Sequence, residues 1–178
     1  RPERFSDIVA LLALYRPGPL ESGMSQEFIR RRHGESPVRY PHPALEACLR
    51  DTYGVILYQE QVMQIAETAA GYTAAEADTL RRAMSKKKAE EMAGERARFL
   101  RGAAERGFDR KTAETIFGQM ETFASYGFNK AHSVAYALTS YYTAYLKTHY
   151  PAEFMAALLT AVMRQPERLA SYLSRCRE

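Results

Sequence analysis

The sequence predicts a mainly α fold, on three observations. From Ser133 to His149 the chain runs without Gly or Pro, enough for about four to five helical turns. Residues 59–70 and 113–124 repeat apolar side chains at helical spacing. The only convincing β-like run, Val55-Ile56-Leu57-Tyr58, is short. The expected architecture is an irregular multi-helix domain with at most one short β-like segment near 55–58.

Composition narrows the class. At 178 residues the chain can bury a real core, and 46 % apolar with 26 % charged residues is ordinary for a globular domain. No run approaches the roughly eighteen apolar residues of a membrane span, and no signal peptide is visible. A net charge of +4 permits an acidic partner such as nucleic acid without establishing one. Of the 25 basic residues 19 are Arg, which suits bidentate phosphate contacts, although a GC-rich genome gives the same bias. Cys48 and Cys176 lie far apart with no metal-ligand spacing, so neither zinc nor a disulfide framework is expected. The chain starts at Arg1 without an initiator Met and is expected to be an excised piece of something larger.

Taken in order, Ser6 is placed to cap a first helix, Asp7 to Tyr15, with Ile8, Leu11, Leu12 and Tyr15 inward. Arg16-Pro17-Gly18-Pro19 stops it. Arg16 beside that rigid turn reads either as phosphate-directed or as a helix-end Arg near the last carbonyls. Ser25 is the expected N-cap of a helix from Gln26 to His33, closed by Gly34. Its Arg30-Arg31-Arg32 run points around the helix and reads as a solvated basic surface. His42 between prolines reads as structural, and Pro43 opens a helix from Ala44 to Arg50.

Gln59 to Ala70 reads as a helix with Val62, Ile65, Ala66 and Ala69 inward and Gly71 closing it. Thr73 and Glu76 fit a capping box for the next helix, which carries Arg81, Arg82, Lys86, Lys87 and Lys88. Five cations in eight residues repel one another unless an anion lies between them. The run therefore reads either as a solvated face, with Asp78 pairing Arg82 and Glu90 and Glu91 serving the lysines, or as a phosphate site. Glu95 to Arg106 is a charged helix closed by Gly107. Asp109 caps the following one, whose Ala113, Ile116, Phe117, Met120 and Ala124 form a buried stripe. Pro151 ends the tyrosine-rich helix and begins another, Ala152 to Met163; a last short helix follows Pro166.

The stretch from Ser125 to Tyr150 holds the only asparagine and half of the tyrosines. At roughly 100° per residue, His132, Tyr136, Thr139 and Thr143 share one sector, where an ordinary surface helix carries Lys and Glu. Val134, Leu138, Tyr141 and Tyr145 form an apolar stripe on the other side and are expected to face the core. The chain lacks GxSxG, HExxH and Walker patterns and a closely spaced Asp pair in a strand context. What it offers is a set of cations and a helix face with an imidazole, a phenol and hydroxyls. That combination suits an anionic, planar ligand such as a nucleotide.

Three blocks in order, LLALYRPGPLESGM, TYGVILYQEQVMQIAETAAGYTAAEADTLRRAMSKKK and YGFNKAHSVAYALTSYYTAYLKTHYPAEFMAALL, resemble the fingers region of the catalytic alpha subunit of bacterial DNA polymerase III, the C-family replicase. The resemblance runs from about Phe5 to Leu159. It implies a fingers domain over residues 1–163, with 164–178 a helical extension of it or the start of the next domain. It also implies a bacterial cytoplasmic, nucleoid-associated nucleotidyltransferase whose partners are primer-template DNA, deoxynucleoside triphosphates, a palm domain and other replicase subunits. Magnesium would be held by palm aspartates that have no counterpart here, so this segment alone is expected to be inactive.

Carried over residue by residue, Arg81 and Arg82 would meet the incoming triphosphate. Lys130 and His132 would be phosphate- or sugar-directed, and Arg16 is a third basic candidate. Tyr136 or Tyr126 would stack on the nascent base pair, with Asn129 beside it. Ser85 stands where the family often has Gly, and Ala131 where Ser is common. The alternative is a non-enzymatic basic helical module that binds DNA backbone or a protein partner through the 81–88 and 30–32 runs.

Overall fold

The structure is a computed structural model that describes residues 2–86, 89–124 and 126–176. The mainly α expectation holds: helices dominate, and Tyr58 and Phe128 form an isolated parallel β-bridge where the short β-like run was expected. Among the described residues no helix is long and apolar enough to cross a membrane. The chain divides into two compact units, residues 1–134 and 135–178.

In the first unit, α1 (Phe5–Leu14), α2 (Pro17–Glu21) and α3 (Met24–Arg32) come first. The first helix begins before Ser6: Asp7 Oδ2 accepts from the backbone N–H of Glu3 and of Arg4, so Asp7 caps the first turn from inside it. Ser25 is not the cap of α3 either. It is buried, and its hydroxyl donates to Leu14 O (2.9 Å), tying α3 to the end of α1; Gly23, at φ 76°, occupies the N-cap position. The prolines after Arg16 do stop α1, but Pro17 at once opens α2, because a helix's first turn tolerates Pro.

The Arg30–Arg32 run is largely internal wiring. Arg31 pairs with Glu27 (2.7 Å) and donates to Tyr53 O (3.0 Å), while Arg32 grips Asp7 and Glu3. Arg32 holds the Asp7 carboxyl well below the usual carboxylate range. The segment after Pro43 is a 3₁₀ turn, a single α turn (α4, Glu46–Leu49) and a second 3₁₀ turn, not one helix. His42 is structural: its Nδ1 accepts from Ala44 N and its ring lies 4.1 Å from that of Phe108.

The core gathers around α5 (Gln59–Ala70), α6 (Ala74–Lys86), α7 (Ala89–Glu105) and α8 (Arg110–Ala124). Ile65, Ala66 and Ala69 of α5, Leu80 of α6, Phe99 of α7 and Ile116, Phe117 and Met120 of α8 have no solvent exposure. At Gly102 a Cβ would stand 2.2 Å from Ala70 O, so that glycine sets the close approach of α7 to the end of α5. Gly71 closes α5 at φ 72°, and Thr73 and Glu76 form the expected capping box. The Thr73 backbone N–H and Arg98 hold the Glu76 carboxyl down at about 2.

Helix α9 (Lys130–His149) starts three residues earlier than expected because Asn129 caps it, its Oδ1 accepting from His132 N (2.8 Å). The boundary between the two units falls within this helix. The second unit continues with α10 (Pro151–Val162) and α11 (Pro166–Arg175), which pack on each other. Here one expectation fails. Val134, Leu138, Tyr141 and Tyr145 are 38–47 % exposed, and the fully buried positions of α9 are Ser133 and Ala137. The apolar stripe is present but stands partly exposed, Val134 in the first unit and the other three residues in the second.

Candidate nucleotide site

On helix α6, Arg81 and Arg82 stand roughly 100° apart around the axis, and a shared carboxylate brings their guanidinium groups together. Asp78, one turn before them, divides its carboxylate between the two. Its Oδ1 accepts from Arg81 Nε (2.9 Å) and Nη2 (2.7 Å), and its Oδ2 accepts from Arg82 Nη2. The Arg81 guanidinium, followed by that of Arg82, holds the Asp78 carboxyl below its ordinary range. The expected Asp78–Arg82 pair therefore exists, but Arg81 is the more tightly held partner. Arg81 also donates through Nη1 to Gln59 Oε1 (3.2 Å), and its side chain is 25 % exposed against 66 % for Arg82.

Arg81 and Asp78 line a polar recess of about 190 Å³ with Gln59, Glu60, Met63 and Asn129. The far wall of this recess is the start of α9. Both Glu60 oxygens accept from Lys130 N (3.0 Å each), a carboxylate set against the positive end of the helix. Gln59 donates through its backbone N–H to Phe128 O (2.9 Å) and through Nε2 to Gly127 O (3.2 Å). The turn between α8 and α9 is thus pinned to the first residue of α5.

The remaining sequence-predicted residues divide by role. Arg16 donates through Nε to Ala13 O (2.9 Å) and through Nη2 to Tyr126 O (2.7 Å), with its guanidinium 4.4 Å from the Phe128 ring centre. These contacts are those of the carbonyl-directed reading, and burial lowers the Arg16 pKa from its ordinary value. The Tyr126 ring rests on Gly18, where a Cβ would come within 2.2 Å of it. His132 meets the Phe128 ring edge-on at 5.4 Å, and the Lys130 ammonium stands 5.5 Å from the centre of the Tyr58 ring. Tyr136 belongs to the second unit and is 57 % exposed. Lys87, Lys88 and the side chains of Lys86, Glu90 and Glu91 lie outside the described residues.

Three polar residues of the recess went unassigned on sequence. Gln59 and Glu60 sit in a QEQ run that reads as a polar helix start, and Asp78 drew notice only as a partner of Arg82. The third member of the run, Gln61, is buried and fully engaged. Its Oε1 accepts from Leu57 N and Tyr58 N, and its Nε2 donates to Cys48 O and Thr52 Oγ1. Among the described residues no group of three or more His, Cys, Asp or Glu side chains is placed to hold a metal ion.

Chemically the site offers a pair of forked cations that share the Asp78 carboxylate. It lies beside a polar recess and a backbone turn carrying aromatic side chains. Guanidinium pairs of this kind bind multidentate oxyanions with charge-assisted hydrogen bonds, about twice as strong as neutral ones.

Residues 1–107 match the family model of the bacterial DNA polymerase III alpha subunit finger domain. The chain is similar to the DNA polymerase III subunit alpha of Pseudomonas aeruginosa, at 54 % identity over 99 % of this chain and 16 % of that protein. It is similar to the subunit of the same name in Vibrio cholerae at 56 % identity with the same coverage. In Aquifex aeolicus the identity is 56 % over 90 % of this chain and 14 % of the relative. The chain spans about a sixth of the length of these relatives.

Proposed function

The chain belongs to the finger-domain family of bacterial DNA polymerase III alpha subunits, and we propose that it binds the triphosphate of the incoming deoxynucleotide and borders the nascent base pair. The observation that carries this reading is the Arg81–Arg82 pair, held side by side by Asp78 next to the recess that ends at Asn129. A triphosphate supplies several oxygens where Asp78 supplies two, and it can take over the guanidinium N–H groups that the carboxylate now shares. Lys130 and His132, at the first turn of α9, extend positive and hydrogen-bonding character along the same wall.

Tyr136 is the proposed stacking ring, since its ring is exposed while that of Tyr126 is packed on Gly18. Arg16 then serves the site indirectly, by holding the Tyr126 carbonyl and the Phe128 ring. In the full polypeptide, template-directed DNA synthesis would draw its magnesium from carboxylates of a palm domain outside this chain. Primer-template DNA and other replicase subunits would be the partners, in the bacterial cytoplasm at the nucleoid.

The direct test is a titration of this chain with a deoxynucleoside triphosphate, followed by NMR. Saturable shifts at Arg81, Arg82 and residues 126–132 are expected. A response to duplex DNA alone, weakening linearly in a log–log salt plot, would instead mark a backbone-binding basic module.

A further inference from the structure

The recess contains a mechanical link that the triphosphate reading by itself does not require. One side chain, Gln59, touches both halves of the proposed site. Its Oε1 accepts from Arg81 Nη1 at 3.2 Å, and its Nε2 donates to Gly127 O at 3.2 Å. Its backbone N–H donates to Phe128 O at 2.9 Å. The turn is built to accept it: a Cβ on Gly127 would come within 3.1 Å of Gln59 Cγ and 3.0 Å of the Phe123 ring. The amide is thus flanked by a guanidinium on one side and a glycine backbone on the other, with its acceptor and donor ends both used.

The two arginines are unequal in the same geometry. Arg81 has Nε and Nη2 on Asp78 and Nη1 on Gln59, and three-quarters of its side chain is covered. Arg82 reaches Asp78 through Nη2 and is two-thirds exposed. A guanidinium held from two sides positions its neighbours, whereas an exposed one can turn to an incoming oxyanion.

We propose that Gln59 is a positioning residue that couples the arginine pair to the Gly127–Phe128 turn, with Arg82 as the principal triphosphate contact and Arg81 as the link. This rests on the reading of the site as a triphosphate and base-pair site. Under it, a mispaired base that displaces the turn also displaces Arg81 through the amide. Gln59 therefore governs discrimination between correct and incorrect nucleotides more than affinity for the correct one.

The experiment uses the full-length polymerase polypeptide and single-turnover incorporation of a correct and a mismatched deoxynucleotide. Gln59→Ala is expected to lower discrimination about tenfold, the scale of one or two net hydrogen bonds. The KM for the correct nucleotide is expected to rise less than that for the mismatch. Gln59→Glu keeps an acceptor for Arg81 but loses the donor to Gly127 O, and it should lose discrimination as well. Because it is nearly isosteric, it keeps the test intact if the alanine variant folds poorly. Gly127→Ala, which pushes on the amide from the other side, should reproduce the loss.

Unchanged discrimination in Gln59→Glu, or a KM rise for the correct nucleotide equal to that for the mismatch, would overturn the coupling. The underlying reading is checked separately by Arg82→Ala. An unchanged nucleotide KM there removes the triphosphate site itself, whatever Gln59 does.

Discussion

The two units use similar helices to opposite ends. In the first, α5 to α8 enclose Ile65, Leu80, Phe99, Phe117 and Met120 completely, and the buried polar side chains of Gln61 and Ser25 are hydrogen-bonded. In the second, the rest of α9 with α10 and α11 carries comparable apolar and aromatic residues, yet Tyr141, Tyr142, Tyr145 and Leu146 remain about half exposed, with Tyr141 in ring contact with Tyr142 and Tyr145. The difference teaches that periodicity marks which face of a helix is apolar, not whether the chain supplies enough surface to cover it. The arginine pair stands on the first unit, and the exposed ring of Tyr136 on the second.

The contrast is broken most directly by truncating one ring in each unit. Phe117→Ala in the first should cost about 3–5 kcal/mol by urea denaturation, since no relaxation refills a site enclosed by α7 and α8. Tyr141→Ala in the second should cost about 0.5–1.5 kcal/mol, the scale of the ring pairs it makes with Tyr142 and Tyr145. Equal costs would mean that the stripe on α9 is buried in solution. Next in size is Gly102→Ala, expected to destabilise by about 1–3 kcal/mol because the new methyl meets the Ala70 carbonyl. The same change at Gly118, where a Cβ meets nothing within 4 Å, should stabilise slightly through helix propensity.

A smaller effect sharpens the contrast through acid. Arg32 lowers the folded-state pKa of Asp7, so their pairing contributes stability above the unfolded carboxyl value of about 3.9. That contribution is lost as pH falls through the lower folded value. Asp7→Asn should therefore destabilise the first unit at pH 7, with the gap to the unsubstituted chain closing below about pH 4. A gap that persists into strong acid would assign the effect to packing instead.

Much of the frame was legible because its signals are local. The Thr73–Glu76 box, Gly71 after α5 and the prolines at 151 and 166 fix helix ends with chemistry that acts over a few residues. The arginine pair was legible through its motif. What escaped was long-range. Ser25 looks like a cap until Leu14 O is seen above it, and Arg31 and Arg32 look solvated until Tyr53, Asp7 and Glu3 surround them. Gln59 gave no signal either, because its partners Arg81 and Gly127 lie 22 and 68 residues away. An amide in a helix's first turn is ordinary until the fold brings both of its partners to it.

The account turns on whether the pair on α6 meets a triphosphate, with Arg82 foremost. The measurement is the nucleotide KM of Arg82→Ala in the full-length polypeptide, taken beside its affinity for primer-template. A rise of about tenfold or more is expected, the size of one charge-assisted hydrogen bond, with primer-template affinity within about twofold. An unchanged nucleotide KM, or an equal loss in nucleotide and DNA binding, would contradict it.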